Sequence, residues 1–362
     1  MTIAFDAINL KSGGGIKHIK EIINNKKKYN NNIIVWGNKK VLREIPNNKF
    51  LKKIHKPFFD KNYFITFLWK VFFFEKELKK NNCKIIVFLA GWGFSGSVKS
   101  ISVFQNMLPY SRRELKKYNF SIFKIKMFIL KFLLNLSFKK SNGIIFLSRI
   151  AKKTILTKLN YKKSIIIGHG CEKNKFVRQD KENDINFIYV SNTDPYKNHL
   201  FLIKSIYDIE TNKKVLINFV GEEGKCHQEV KNSINKFNKR NQNIKINFLG
   251  PLKYQSLKIL YLNSQGMIFC STCENFPNII LEGMSYRLPI LCPNISPLNE
   301  ILEKNDFYYK VNNHKSLKNK MIKLIENTSL RNKYGYKNFI NSKKFNWRKT
   351  STRTFNFIED FL

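Results

Sequence analysis

Residues 266–292 read GMIFCSTCENFPNIILEGMSYRLPILC. A short apolar run, GMIFC, stops at a polar loop. Pro277 follows, then apolar residues at helical spacing, then a second short apolar run, LPILC. Short unbroken apolar runs separated by a helix-length segment read as buried parallel strands joined by a crossover helix. Pro277 suits the first helical turn, where its missing N–H costs little, so the spacing predicts a helix from about Asn278 to Tyr286. The first N–H groups of such a helix have no partner within it, so those of Asn278, Ile279 and Ile280 are expected to point toward a ligand. Glu274 lies in the loop before the helix. Glu282 lies four residues past Asn278, on the same face and one turn deeper.

The same strand–helix unit recurs along the chain. In the first half, strands are predicted at 2–5, 33–36, 84–90, 100–104, 143–148 and 164–167, with helices near 15–28, 61–80, 118–139 and 149–159. In the second half, strands are predicted at 186–191, 215–221, 244–250, 266–271 and 288–292. Helices there fall near 198–208, 225–238, 253–263, 278–286, 314–326 and 329–343. Unbroken apolar strands alternating with helices imply parallel sheets covered on both faces. The pattern restarts near 184, after the polar KNKFVRQDKEND. The expected fold class is therefore α/β, with two doubly wound domains facing a cleft and a joint near 168–184. Ligands of open parallel sheets sit beyond the carboxyl ends of the strands, so the chemistry is expected in the strand-to-helix loops.

The chain of 362 residues is long enough for two such domains, and 43% hydrophobic residues suffice for packed cores. The formal net charge is +41, from 66 basic and 25 acidic residues. That charge fits anionic partners such as nucleic acid, a membrane surface or phosphorylated substrates; it equally fits a compositional bias toward Lys, Asn, Ile and Phe. Six scattered cysteines give no disulfide framework. Cys270 and Cys273 form a C-x-x-C without the further ligands a zinc site needs, so they are read as structural thiols of a reducing compartment. The sequence MTIAFDAINL enters a strand directly and lacks the pattern of a signal peptide. FSIFKIKMFILKFLLNLSF, 120–138, is interrupted by Lys124, Lys126 and Lys131, and so fails as a membrane span. It reads either as a basic amphipathic helix on an anionic membrane or as a domain helix with snorkelling lysines.

Two further loops carry candidate chemistry. In KSGGGIKHIKEI, 11–22, the glycines lie between the first strand and a helix start. Glycines there let backbone N–H groups approach a phosphate, although a plain tight turn gives the same sequence. In YVSNTDPYKNHLFLIKSI, 189–206, Asp194-Pro195 makes a turn and Lys197 stands at the next helix start. There it either reaches a phosphate over the helix end or is a solvated lysine. The two glutamates of 266–292 do not bind phosphate, since both partners are anionic. They accept hydrogen bonds from hydroxyls. A nucleotide sugar offers hydroxyls on both sides of its diphosphate, and one Glu at each end with helix N–H groups between matches that ligand.

With Glu274-x7-Glu282, Gly283-Met284 and Leu288-Pro289-Ile290 in place, the chain resembles the retaining GT-B glycosyltransferases, especially family 4. The resemblance extends over most of the chain. It takes in SGGG (12–15), VFQNMLPY (103–110), IIFLSRIAKKTI (144–155), IIGHGCEKNKF (166–176), YVSNTDPYKN, INFLGPLKYQSLKILYLNSQ and the tail NWRKTSTRTFNFIEDF (346–361). It implies a Rossmann-like acceptor domain, 1–170 plus the returning helix 346–362, and a Rossmann-like donor domain, 171–345. It also implies that Gly14 and Gly15 approach the donor diphosphate and that Lys197 neutralises it. Glu274 would hold sugar hydroxyls and Glu282 the ribose, with Asn278, Ile279 and Ile280 lining the phosphates. Gln105 stands where many members place His, so it fits sugar binding but not acid–base work. Asn106 replaces a common Asp, and Arg287 a frequent Gly. Asn192 replaces the usual second phosphate cation, a loss for which Arg149 or Lys11 is the expected compensation.

The implied activity is retaining hexosyl transfer, without a metal or other cofactor, from a UDP- or GDP-sugar to a hydroxyl. The implied acceptor is a lipid-linked or surface glycan (O-antigen, capsule or lipopolysaccharide). The expected location is the cytoplasm or, as a peripheral protein, the inner face of the cytoplasmic membrane. Three rivals are weaker. A nucleic-acid-binding protein would concentrate its charge in a module, and none is present. A dinucleotide oxidoreductase needs G-x-G-x-x-G. A GT-B epimerase or phosphorylase-like enzyme keeps the fold, but the lysine context of a phosphorylase cofactor is missing.

Overall fold

The computed structural model describes residues 1–10, 13–26, 31–89, 92–118, 121–156, 163–172 and 184–362. Lys11, Ser12 and most of the expected joint lie outside these residues, as do the ends of the helices expected at 15–28 and 149–159. The chain divides into two compact units. The first comprises Met1–Tyr110, Phe120–Gly170 and Asn346–Leu362; the second comprises Ser111–Asn119 and Cys171–Phe345. Residues 111–119, expected within the first domain, thus group with the second.

The first unit holds the strands β1 (Thr2–Ala7), β2 (Asn32–Gly37), β3 (Leu51–Ile54), β4 (Cys83–Phe88), β5 (Lys99–Phe104), β6 (Gly143–Phe146) and β7 (Ser164–Ile166). They form a seven-stranded parallel sheet in the order β3-β2-β1-β4-β5-β6-β7. The order reverses between β1 and β4, so the loops after these two strands diverge and leave a crevice. The glycine loop follows β1. The returning helix Trp347–Glu359 packs on the helix Gly14–Asn24, where Ser351 Oγ donates to the Ile22 carbonyl at 2.6 Å.

The second unit holds β8 (Asp184–Val190), β9 (Lys214–Val220), β10 (Ile244–Phe248), β11 (Gly266–Ile268), β12 (Ile290–Pro293) and β13 (Tyr308–Tyr309). The order β10-β9-β8-β11-β12-β13 is again parallel throughout. Its reversal lies between β8 and β11, whose loops carry Lys197 and Glu274. One buried cluster, including Phe187, Phe219, Phe237, Met267 and Leu324, fills this unit.

Several boundaries differ from expectation. β3 and β13 were not anticipated. The helix expected at 61–80 is three pieces, Phe58–Lys61, Tyr63–Phe72 and Phe74–Lys80, because Asn62 caps the second piece and the chain leaves ideal helix at Phe73. The helix expected at 118–139 is Ile122–Lys140. Among the described residues no helix is long and apolar enough to cross a membrane. Cys270 is buried, and its thiol is pushed up to about 12 by burial, as suits an unreactive core residue.

Two features of the first unit bear on stability. Asp6 at the end of β1 pairs with Lys70 at 2.6 Å, both side chains 1% exposed. Lys70 also donates to the Trp92 carbonyl at 2.8 Å. Asp6→Ala leaves a buried ammonium without its counter-charge and is expected to cost about 3–5 kcal/mol, read as a lowered midpoint in urea; an unchanged midpoint would refute a role for the pair. The second feature is His18, packed against His169 (Nδ1 to Nδ1 3.0 Å) and Trp347. Burial lowers the His18 pKa to about 4 from 6.5. The unfolded chain therefore takes up a proton here below about 6.5, whereas the folded chain stays neutral until about 4. This contribution is full above 6.5 and is lost as pH falls toward 4, on the order of 3 kcal/mol in all. Thermal midpoints measured from pH 7.5 down to 4.5 should fall; a flat profile contradicts the assignment.

Candidate functional site

The loops that follow β8 and β11 define the site in the second unit. After β8 the chain turns through Asp194 into a short 3-10 segment, Pro195–Lys197, and Asn198 then adopts the left-handed conformation (φ 59°). Asparagine tolerates that conformation better than most residues. Its side chain holds the neighbouring loop, Nδ2 donating to the Cys270 carbonyl at 2.9 Å and to Thr272 Oγ1 at 3.1 Å. The Thr272 N–H donates to the Tyr196 carbonyl at 3.0 Å. Lys117 ties in from the segment 111–119, donating to Asn198 Oδ1 at 2.8 Å while pairing with Glu114 at 2.7 Å. Two loops distant in sequence are thus fixed as one platform.

Across that platform Lys197 Nζ meets Glu274 Oε1 at 2.6 Å, with side chains 15% and 16% exposed. Lys197 is the last residue of the 3-10 segment and precedes the helix His199–Ser205 rather than opening it. Burial works against its ammonium, but Glu274, Tyr196 and Asp194 outweigh burial and hold the pKa above the usual lysine value. Lys197 is therefore a fixed cation at neutral pH.

The helix Asn278–Ser285 starts directly after the β11 loop with Pro277 at its N-cap. Ile280 N–H donates to the Pro277 carbonyl at 3.2 Å. This corrects the expectation of three open N–H groups: the first turn tightens and uses the third one itself. Among the described residues the N–H groups of Asn278 and Ile279 have no such bond. Both amide atoms of the Asn278 side chain and Ser271 Oγ are buried without a hydrogen-bond partner among the described residues. Buried polar atoms are nearly always satisfied in a working molecule, so these atoms are open to a water or to a polar ligand. Glu282, one turn on, accepts a hydrogen bond from Tyr261 Oη at 3.2 Å. Tyr261 is fully buried and stacks on Tyr286 with ring centroids 5.0 Å apart.

Asn192, at the place of an expected arginine, donates from Nδ2 to Asp194 Oδ2 at 2.8 Å. Its role is to brace the loop, and it supplies no charge. Of the proposed compensating cations, Arg149 opens the helix Arg149–Leu156 of the first unit, and Lys11 lies outside the described residues. In the first unit, Gly14 begins the helix Gly14–Asn24 after Gly13 at φ 63°. Gly15 and Gln105 come together: a Cβ on Gly15 would stand 2.7 Å from Leu10 Cδ2 and 3.1 Å from Gln105 Oε1. The Gln105 Nε2 is buried and has no hydrogen-bond partner among the described residues.

Three contributors escaped sequence reading. Asn198 fixes the loop pair, and Tyr261 orients Glu282; neither stands out in a local pattern. Gly221, after β9, presses so closely on the β8 loop that a Cβ would lie 2.2 Å from the Ser191 carbonyl oxygen. Its position at a strand end is the one signal that could have found it.

Residues 171–339 match the family of glycosyl transferases group 1. An uncharacterized glycosyltransferase of Methanocaldococcus jannaschii is 28% identical over 58% of this chain and 57% of its own length. A capsular polysaccharide biosynthesis glycosyltransferase of Staphylococcus aureus is 29% identical over 64% of this chain and 65% of its own. The chain thus matches less than two thirds of the length of either relative. The structure of a sucrose-phosphate synthase from Thermosynechococcus elongatus superposes with a TM-score of 0.80 over 99% of this chain and 98% of that one, at 13% identity. The fold is that of two parallel-sheet Rossmann-like units, as in GT-B glycosyltransferases.

Proposed function

We propose, from the premise that the second unit belongs to the group 1 glycosyltransferases, that the chain transfers a hexose with retention from a UDP- or GDP-sugar to a glycan hydroxyl. The observation that carries this reading is the contact of Lys197 with Glu274 at the topological switch point. A cation and a hydroxyl acceptor stand together there, at the loop that leads into the helix starting at Asn278.

The donor diphosphate takes those N–H groups and Lys197. Glu282 holds the ribose hydroxyls, and Glu274 the sugar hydroxyls. In the unliganded chain Lys197 and Glu274 compensate each other; binding exchanges their mutual bond for bonds to phosphate and sugar. As the nucleotide leaves on the face from which the acceptor attacks, charge grows on the diphosphate. A preorganised cation and helix dipole stabilise that charge without a metal. Within the first unit, Gly14 and Gly15 of the glycine loop, with Gln105 after β5 beside Gly15, are the candidate phosphate and sugar contacts, Gln105 as a hydrogen-bonding group.

The acceptor is a lipid-linked or surface polysaccharide, made at the inner face of the cytoplasmic membrane. The capsular relative supports this acceptor class, as does the basic helix Ile122–Lys140. A thermal-shift panel of UDP- and GDP-sugars tests the reading. One donor should raise the midpoint by several degrees, more than its free nucleoside does. Equal, negligible shifts across the panel would refute it.

A further inference from the structure

The helix Tyr63–Phe72 is inverted relative to an ordinary surface helix. Its buried residues are Thr66, Trp69 and Lys70. Thr66 Oγ1 donates to the Phe58 carbonyl at 3.0 Å, and Lys70 pairs with Asp6. Its outward residues are apolar: Tyr63, Phe64 (70% exposed), Ile65, Val71 and Phe72 (63%), with Phe73 just beyond. A helix covered by water alone puts its polar face outward, and clustered exposed aromatics mark a surface that meets something apolar.

A second helix of the same unit does likewise. Ile122–Lys140 exposes Ile122, Ile125, Phe128 (75%), Ile129 and Phe132 (65%). The loop after β4 connects the two helices. Trp92 packs on Phe67 with ring centroids 5.1 Å apart and takes the Lys70 hydrogen bond. Next to it, Gly93 N–H donates to Ser137 Oγ at 3.2 Å, and Phe94 lies under Lys140 Nζ at 5.6 Å.

We infer that the outer faces of these two helices form one docking surface for an anionic lipid bilayer. Charge decides between occupants. Neither helix contains an Asp or Glu, whereas Lys124, Lys126, Lys131, Lys139 and Lys140 lie among or beside the exposed apolar side chains of the second. Aromatic and aliphatic side chains interleaved with lysines suit a bilayer interface, where the stems lie along acyl chains and the ammonium groups meet lipid phosphates. A second copy would bring the same cations face to face, in a chain of net charge +41. The buried Lys70–Asp6 pair then has a use: it pins the membrane-facing helix to the end of β1, where the glycine loop begins. The inference deepens the acceptor reading above and rests on it for its purpose, since it brings the first unit to a lipid-linked substrate.

The test is sedimentation with vesicles of phosphatidylcholine, with and without phosphatidylglycerol, run beside the thermal shift given by UDP and GDP. Wild type should bind the phosphatidylglycerol vesicles and keep part of that binding when salt is raised. The exposed double variants Phe64→Ser/Phe72→Ser and Phe128→Ser/Phe132→Ser should each bind at least tenfold more weakly, with melting midpoint and nucleotide shift unchanged. Variants that bind like wild type overturn the inference, as does binding that salt alone abolishes. So does a concentration-dependent dimer that the variants disperse without any vesicle binding. A wild type that binds vesicles but shows no nucleotide shift counts against the donor reading and leaves the docking surface standing.

Discussion

Replacing Lys197 with alanine is expected to lower the rate of the proposed sugar transfer by about a hundred- to a thousandfold, with the fold intact. The size follows from its position. Lys197 is a largely buried cation kept charged by Glu274, Tyr196 and Asp194, and Asn192 contributes no second charge beside it. On the proposed mechanism, the developing charge on the diphosphate would fall mainly on Lys197 and the helix start. Because that charge is larger in the transition state than in the bound donor, the loss should appear in kcat more than in KM. Lys197→Arg, which keeps charge but not length, should recover part of the rate. A fall confined to KM would mean that Lys197 binds the donor without assisting departure.

The second large effect is expected at Glu282. If Glu282 holds the ribose as proposed, Glu282→Ala removes hydrogen bonds to a charged acceptor, each worth about 1.5–3 kcal/mol, so donor KM should rise by about ten- to several hundredfold with a smaller change in kcat. It also strands the buried Tyr261 phenol, at a cost of about 1–3 kcal/mol in stability. The double variant Glu282→Ala/Tyr261→Phe removes that penalty and separates the two effects. It should regain stability without regaining donor affinity. Wild-type donor kinetics in Glu282→Ala would remove this residue from the site.

Much of the fold was legible because buried parallel strands leave an unmistakable trace: IIVW, IIVF and FIYV are unbroken runs of apolar and aromatic residues. β3 was not, because LKKI is a short edge strand with two lysines at its centre, Lys52 exposed and Lys53 half-buried, and β13 is two residues long. The breaks around the helix Tyr63–Phe72 were hidden by an apolar pattern that continues straight through Phe73.

At the site, the residue types were readable and their partners were not. Lys197 and Glu274 each stood out in a loop, but their contact depends on Asn198 in a left-handed turn that ties two loops together. The pairing of Gly15 with Gln105 likewise depends on the neighbourhood of two strand ends in the first sheet. The number of open N–H groups at the helix start was overestimated, since sequence does not show whether a first turn tightens onto Pro277. Tyr261 was invisible as a polar partner because its ring packs like any core aromatic.

The most direct measurement is a crystal structure with UDP or GDP, whichever shifts the melting midpoint more. The account predicts the diphosphate over the N–H groups of Asn278 and Ile279, within hydrogen-bond distance of Lys197 Nζ, and the ribose hydroxyls on Glu282. The Lys197–Glu274 contact should be lengthened or shared. A nucleotide bound elsewhere, with that contact intact at 2.6 Å and Glu282 still turned to Tyr261, would contradict it.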